Sequence, residues 1–107
     1  MPKLVTINAP NKTKTEILKV TGYVIRLNVG GYQEKMLLQQ TPHGEVLLAH
    51  YASGQNMGSL TPIKLAASHA GRKLTDREAA IGRIEQLISR LGADRVTKTM
   101  AAAKVIN

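Results

Sequence analysis

Cysteine is absent from this chain, and so are phenylalanine and tryptophan. Without cysteine there is no disulfide and no thiol chemistry, which fits a reducing compartment. Three tyrosines are the whole aromatic complement apart from histidine, so the core must be aliphatic. The same scarcity argues against a single-strand binder that stacks bases on a row of aromatic rings. Acidic residues are few: seven, against fifteen Lys and Arg, for a net charge of +8. No apolar run reaches the roughly 20 residues a membrane-spanning helix needs. The stretch MPKLVTINAPNK lacks the apolar segment of a secretory leader. The expectation is a cytoplasmic protein with no membrane partner. Asn11-Lys12-Thr13 fits a glycosylation sequon, which without secretion is coincidence.

Catalytic signatures are missing too. Gly54 and Gly58 bracket a loop, but no lysine–serine pair follows as in a phosphate-binding loop. Ser53-Gly54 lacks the context of a nucleophile elbow. The histidines are His43, His50 and His69. The chain between His43 and His50 spans roughly 23 Å when extended, too far to share a metal. On its apolar strand His50 is expected as a hydrogen-bonded sheet residue, since buried polar groups find partners. Neither metal nor cofactor is expected, and the protein reads as non-enzymatic.

What is present is an architecture. At 107 residues and 43% hydrophobic, the chain is one domain, residues 1–107, with 1–15 as a partly flexible N-terminal segment. Leu4 to Ile7 alternate weakly and suit a short edge strand, and 8–15 read as loop. From Ile17 to Val29 the period is two, with Tyr23, Ile25, Leu27 and Val29 on one face. Gly22 marks a bulge or bend. Gly30-Gly31 predicts a two-residue hairpin, because both glycines accept positive φ. The return strand covers Tyr32–Gln40, and Thr41-Pro42-His43-Gly44 makes the next turn. Glu45 to Tyr51 is apolar on both faces, the pattern of a buried central strand. Met57–Leu60 suits a short further strand.

Three helices are expected after that. For 61–71 helix and edge strand both remain open. Thr61 as N-cap, Pro62 in the first turn and Gly71 as terminator favour the helix. Thr75 and Glu78 form a capping-box pattern ahead of a helix over 76–91, which Gly92 ends. Its apolar stripe is Ala80, Ile81, Ile84, Leu87, Ile88 and Leu91, by the 3.6-residue period. A last helix over about 94–104 has Val96, Met100 and Ala103 on one face. The predicted fold is therefore α+β: an antiparallel meander of three to four strands over residues 17–60, packed on the long helix and the C-terminal helix.

Two surfaces carry functional expectations. Lys12, Lys14 and Lys19 cluster early in the chain, and Arg72, Lys73 and Arg77 precede and open the long helix. Arg83 and Arg90 stack on one flank of it. The positive helix end prefers anions, so these cations do not serve it and are free to meet a phosphate backbone, DNA or RNA. The segment from Pro62 through Arg72-Lys73 into the long helix also fits a helix-turn-helix arrangement. On the helix side facing away from the core, Ala79, Gly82, Gln86 and Ser89 form a small-residue stripe. A helical glycine costs about 1 kcal/mol against alanine, so Gly82 suggests the close approach of a second helix or subunit. The alternative function is thus a self-associating or protein-interaction module, a homodimer, with no nucleic-acid role.

Overall fold

In a computed structural model, which describes residues 4–10 and 15–107, β-rich sequence gives way to helix at Thr61. Strands β1 (Leu4–Pro10), β2 (Ile17–Val29), β3 (Tyr32–Gln40), β4 (Val46–His50) and β5 (Asn56–Ser59) form one antiparallel sheet in sequential order. Helices α1 (Thr61–His69), α2 (Asp76–Leu91) and α3 (Ala93–Ala102) follow. The α+β class is as read from the sequence, but the meander has five strands instead of three to four. The extra one is β1. The weak alternation over Leu4–Ile7 runs on to Pro10 and pairs with Ile17–Tyr23 of β2, so this part of the expected flexible segment is ordered sheet.

The predicted turns form for the predicted reasons. Val29 pairs with Tyr32 across Gly30 and Gly31, whose φ values of 59° and 91° are the left-handed region that a tight hairpin requires. The Thr41 hydroxyl and carbonyl accept the amides of Glu45 and Gly44 and close the next turn. Strand β2 hands over from β1 to β3 at Tyr23, and Gly22 sits at that bend. A Cβ there would lie 2.2 Å from the Leu38 carbonyl oxygen, so only glycine permits the approach.

The register places Leu27, Val29, Met36, Leu38, Val46 and Leu48 with Ala79, Ala80, Ile84, Val96 and Met100 in one aliphatic core between sheet and helices. The other sheet face holds a smaller cluster of Ile7, Leu37 and Ala49. Among the described residues no helix side chain joins that cluster, and Val5, Val20, Val24 and Tyr51 pack against it as the sheet curls over. The chain at Gly54, in the β4–β5 turn, packs against Asn8 and Ala9 of β1. Asn107 closes the gap. Its Nδ2 donates to the carbonyls of Asn8 and Tyr51, and its Oδ1 accepts the Asn8 amide at 2.7 Å.

Helix α2 starts as predicted: the Thr75 hydroxyl accepts the Glu78 amide and the Glu78 carboxylate accepts the Thr75 amide. Its buried face is rotated from the predicted stripe. Ala79, Ala80 and Ile84 are buried, Leu87 and Ile88 half-buried, while Ile81 is 41% and Leu91 45% exposed. Successive residues turn by about 100°, so a face that takes in Ala79 must release Ile81. The small Ala79 side chain lets the helix settle that way. At α1 the helix reading of 61–71 holds, with one correction. Leu60 holds the N-cap position, and the Thr61 amide donates to the Ser59 hydroxyl instead.

Candidate nucleic-acid interface

The turn between α1 and α2 carries exposed cations close together in the chain. Helix α1 ends in a Schellman arrangement: the Arg72 amide donates to Ala67 O at 2.8 Å and the Gly71 amide to Ser68 O at 3.0 Å, with Gly71 at φ 78°. That ending turns the chain outward, so Arg72, Lys73 and, two residues beyond the Thr75 cap, Arg77 are all exposed. Lys64 and Ser68 of α1 line a shallow concavity with Arg72 and Lys73. Two acids stand in this neighbourhood, Glu78 and Asp76. The Glu78 carboxyl is held below the usual glutamate value by the Thr75 backbone amide first, then the Thr75 hydroxyl, with a smaller contribution from the Arg72 charge. Asp76 takes the Lys64 ammonium as an ion-pair partner.

The other expected cations do not join this group. Lys12 and Lys14 lie outside the described residues. Lys19 is exposed on β2, and its ammonium donates to Asn8 Oδ1 at 3.0 Å. Arg90 is exposed in the last turn of α2, about 20 Å along the helix from Arg77 at 1.5 Å per residue. Arg83 turns toward β5 instead. The rotation that buries Ala79 also draws Arg83 inward, where Nε donates to Met57 O at 2.9 Å and Nη1 to Gln86 Oε1 at 3.4 Å. Sequence reasoning passed over Arg95 and Lys98, both exposed on α3. They follow Arg90 across the Gly92 corner, and only the fold brings that corner into view. Among the described residues Lys64 is the one lysine or arginine at ion-pair distance from a carboxylate.

The small-residue stripe is not a free surface. Ala79 is fully buried inside the protein. Gly82 faces Ile63 of α1, whose Cγ2 lies 3.5 Å from where a glycine Cβ would stand, so the close-approaching helix is the chain's own. Gln86 and Ser89 alone of the four are exposed.

His50 is buried and hydrogen-bonded at both ring nitrogens, to Ser53 Oγ at 2.8 Å through Nδ1 and to Glu34 Oε2 at 3.3 Å through Nε2. A carboxylate only accepts, so in the neutral ring Nε2–H donates to Glu34 and Nδ1 accepts from the Ser53 hydroxyl. Ser, His and Glu in line invite comparison with a hydrolytic triad, but Ser53 is itself only 3% exposed and its oxygen accepts the Gln55 amide. These bonds tie the β4–β5 turn to the strand; they offer no nucleophile to a substrate.

Comparison with known protein families, with curated proteins and with solved structures finds no match to this chain. No helix among the described residues is long and apolar enough to cross a membrane.

Proposed function

We propose that the protein is a small, cytoplasmic, non-enzymatic binder of nucleic-acid backbone, DNA or RNA, that works through Arg72, Lys73 and Arg77, with Arg90, Arg95 and Lys98 as a second point of contact. One observation carries the reading: the exposed lysines and arginines of the described chain are almost wholly without carboxylate partners. A cation left in water gains by replacing the condensed counterions of a polyanion, and that gain depends on salt. The scarcity of tyrosine favours a duplex over stacked single strands.

The test is fluorescence anisotropy with a duplex and a single-stranded oligonucleotide over a range of salt. Binding that weakens steeply with salt supports the reading, and each phosphate contact adds about 0.9 to the slope of log K against log salt. Replacing Arg72, Lys73 and Arg77 together by alanine is expected to lower that slope by up to about 2.7, on the same scale. Absence of binding at low salt would remove the reading.

Self-association remains the second reading, on a different surface from the expected stripe. Ile81 is exposed in a groove between α1 and α2 that Ala66, Ala67, Ala70 and Leu74 also line. Light scattering of the native chain and of Ile81→Glu separates the two readings: a monomer in both cases leaves the groove without a partner.

A further inference from the structure

On the other side of α2 a second concavity opens. Its volume is about 500 Å³, and it lies between the β4–β5 hairpin and the facing sides of α2 and α3. Its apolar wall comes from Met57, Leu87, Val96 and Met100, with Leu91 at the mouth. Leu91, like Ile81, is an apolar residue of α2 that the core leaves out, and a cleft at this place accounts for its exposure. Small-molecule sites have this size and character: mostly apolar, about 300–1,000 Å³, with a few fixed polar groups.

The fixed polar group here is Arg83. Its Nε donates to Met57 O and its Nη1 reaches Gln86 Oε1 at 3.4 Å, and the guanidinium lies close against the backbone at Gly58, where a Cβ would meet Nε and Nη2 at 2.9 Å; the second Nη1 hydrogen and both Nη2 hydrogens remain. It is therefore oriented before any ligand arrives. Among the described residues it has no carboxylate partner. The remaining polar neighbours are largely committed. Both His50 nitrogens are in hydrogen bonds, the Thr99 hydroxyl donates to Arg95 O at 2.7 Å, and Asn56 Oδ1 accepts the Gly58 amide. One guanidinium with free donors beside an aliphatic wall matches one planar anion with an apolar tail. A phosphate monoester, with three oxygens to satisfy, would need more donors than this site supplies.

We infer that the cleft between the β4–β5 hairpin and helices α2 and α3 is a binding site for a small aliphatic carboxylate, its carboxyl group on Arg83 and its tail along Met57, Leu87, Val96 and Met100. This site is separate from the cations of the α1–α2 turn and does not depend on nucleic-acid binding.

The experiment is isothermal titration of the full chain with decanoate, with decanol and acetate as the tail-only and head-only probes. Decanoate is expected to bind with one-to-one stoichiometry, and the other two at least about tenfold more weakly, the range a hydrogen bond to a charged group commands. Arg83→Ala should weaken decanoate by a similar factor. Because Arg83 also holds β5, that variant can fail to fold. Leu91→Glu, at an exposed position, then serves: it sets a competing carboxylate at the mouth and should weaken decanoate tenfold or more while the melting temperature stays near native. No decanoate binding, equal affinity for decanoate and decanol, or unchanged binding by Leu91→Glu would each overturn the inference.

Discussion

Helices α1 and α2 are neighbours in the chain, yet they are held by different means. Helix α2 has a side-chain capping box and buries Ala79, Ala80 and Ile84 against the sheet. Helix α1 has no fully buried residue and no cap from its own N-cap side chain. It is fixed at its ends, by Ser59 at the start, the Schellman turn at Gly71 and the half-exposed Lys64–Asp76 pair, which is worth about 0–1 kcal/mol. Its first turn touches α2 through Ile63 on Gly82, and a groove runs beside that contact. Helix content alone therefore says little about support. Burial anchors α2, while the cationic turn hangs from the more weakly held partner.

The largest effect that would break this contrast is a matched pair of truncations. Ile84→Ala is expected to cost roughly 2–5 kcal/mol, the range for a buried Ile or Leu. Leu65→Ala, 56% exposed, should stay within about 0.5 kcal/mol. Urea denaturation of both checks it, and equal losses would mean that α1 is as deeply anchored as α2. Next in size is the cap: Thr75→Ala should cost about 1 kcal/mol, read in the same way. Gly82→Ala should raise stability by up to about 1 kcal/mol, because the added Cβ meets only Ile63 at ordinary contact distance. Gly22→Ala should destabilise instead, since its Cβ would strike the Leu38 carbonyl.

The smallest effect is one of pH. The Glu78 carboxyl titrates below its ordinary value of 4.5 when folded, chiefly through the Thr75 amide. Its contribution is therefore present above that value and is lost as pH falls through the lowered one. Melting temperatures of native and Glu78→Gln protein should converge in acid and separate above it. A constant offset at every pH would show that the charge on Glu78 is irrelevant to the cap.

Local signals carried most of the fold. The Thr75–Glu78 pair, the double glycine at 30–31 and the two-residue period of β2 each state their geometry within a few residues, and the structure follows them. Strand β1 was underestimated because its alternation is weak and its support is distant: it is buried by the curl of the sheet and by Asn107, ninety-nine residues from its partner Asn8. The rotation of α2 was illegible for a related reason. A wheel of apolar positions cannot tell whether Ala79 or Ile81 flanks the core; that depends on how closely the sheet approaches. The placement of Arg83 follows directly, because the same rotation turns it from the open flank of the helix toward β5. The exposure of Arg72, Lys73 and Arg77 was legible because they stand at a glycine-ended helix and the start of the next, where the chain turns at the surface.

Native-state hydrogen exchange tests the contrast between the two helices most directly. Amides of Ile84, Leu87 and Ile88 are expected to exchange only through near-global unfolding, whereas those of Leu65 to His69 should open locally at a clearly lower free energy. If both sets exchanged at one common free energy, with α1 and α2 opening as a single unit, the distinction drawn between them would be wrong.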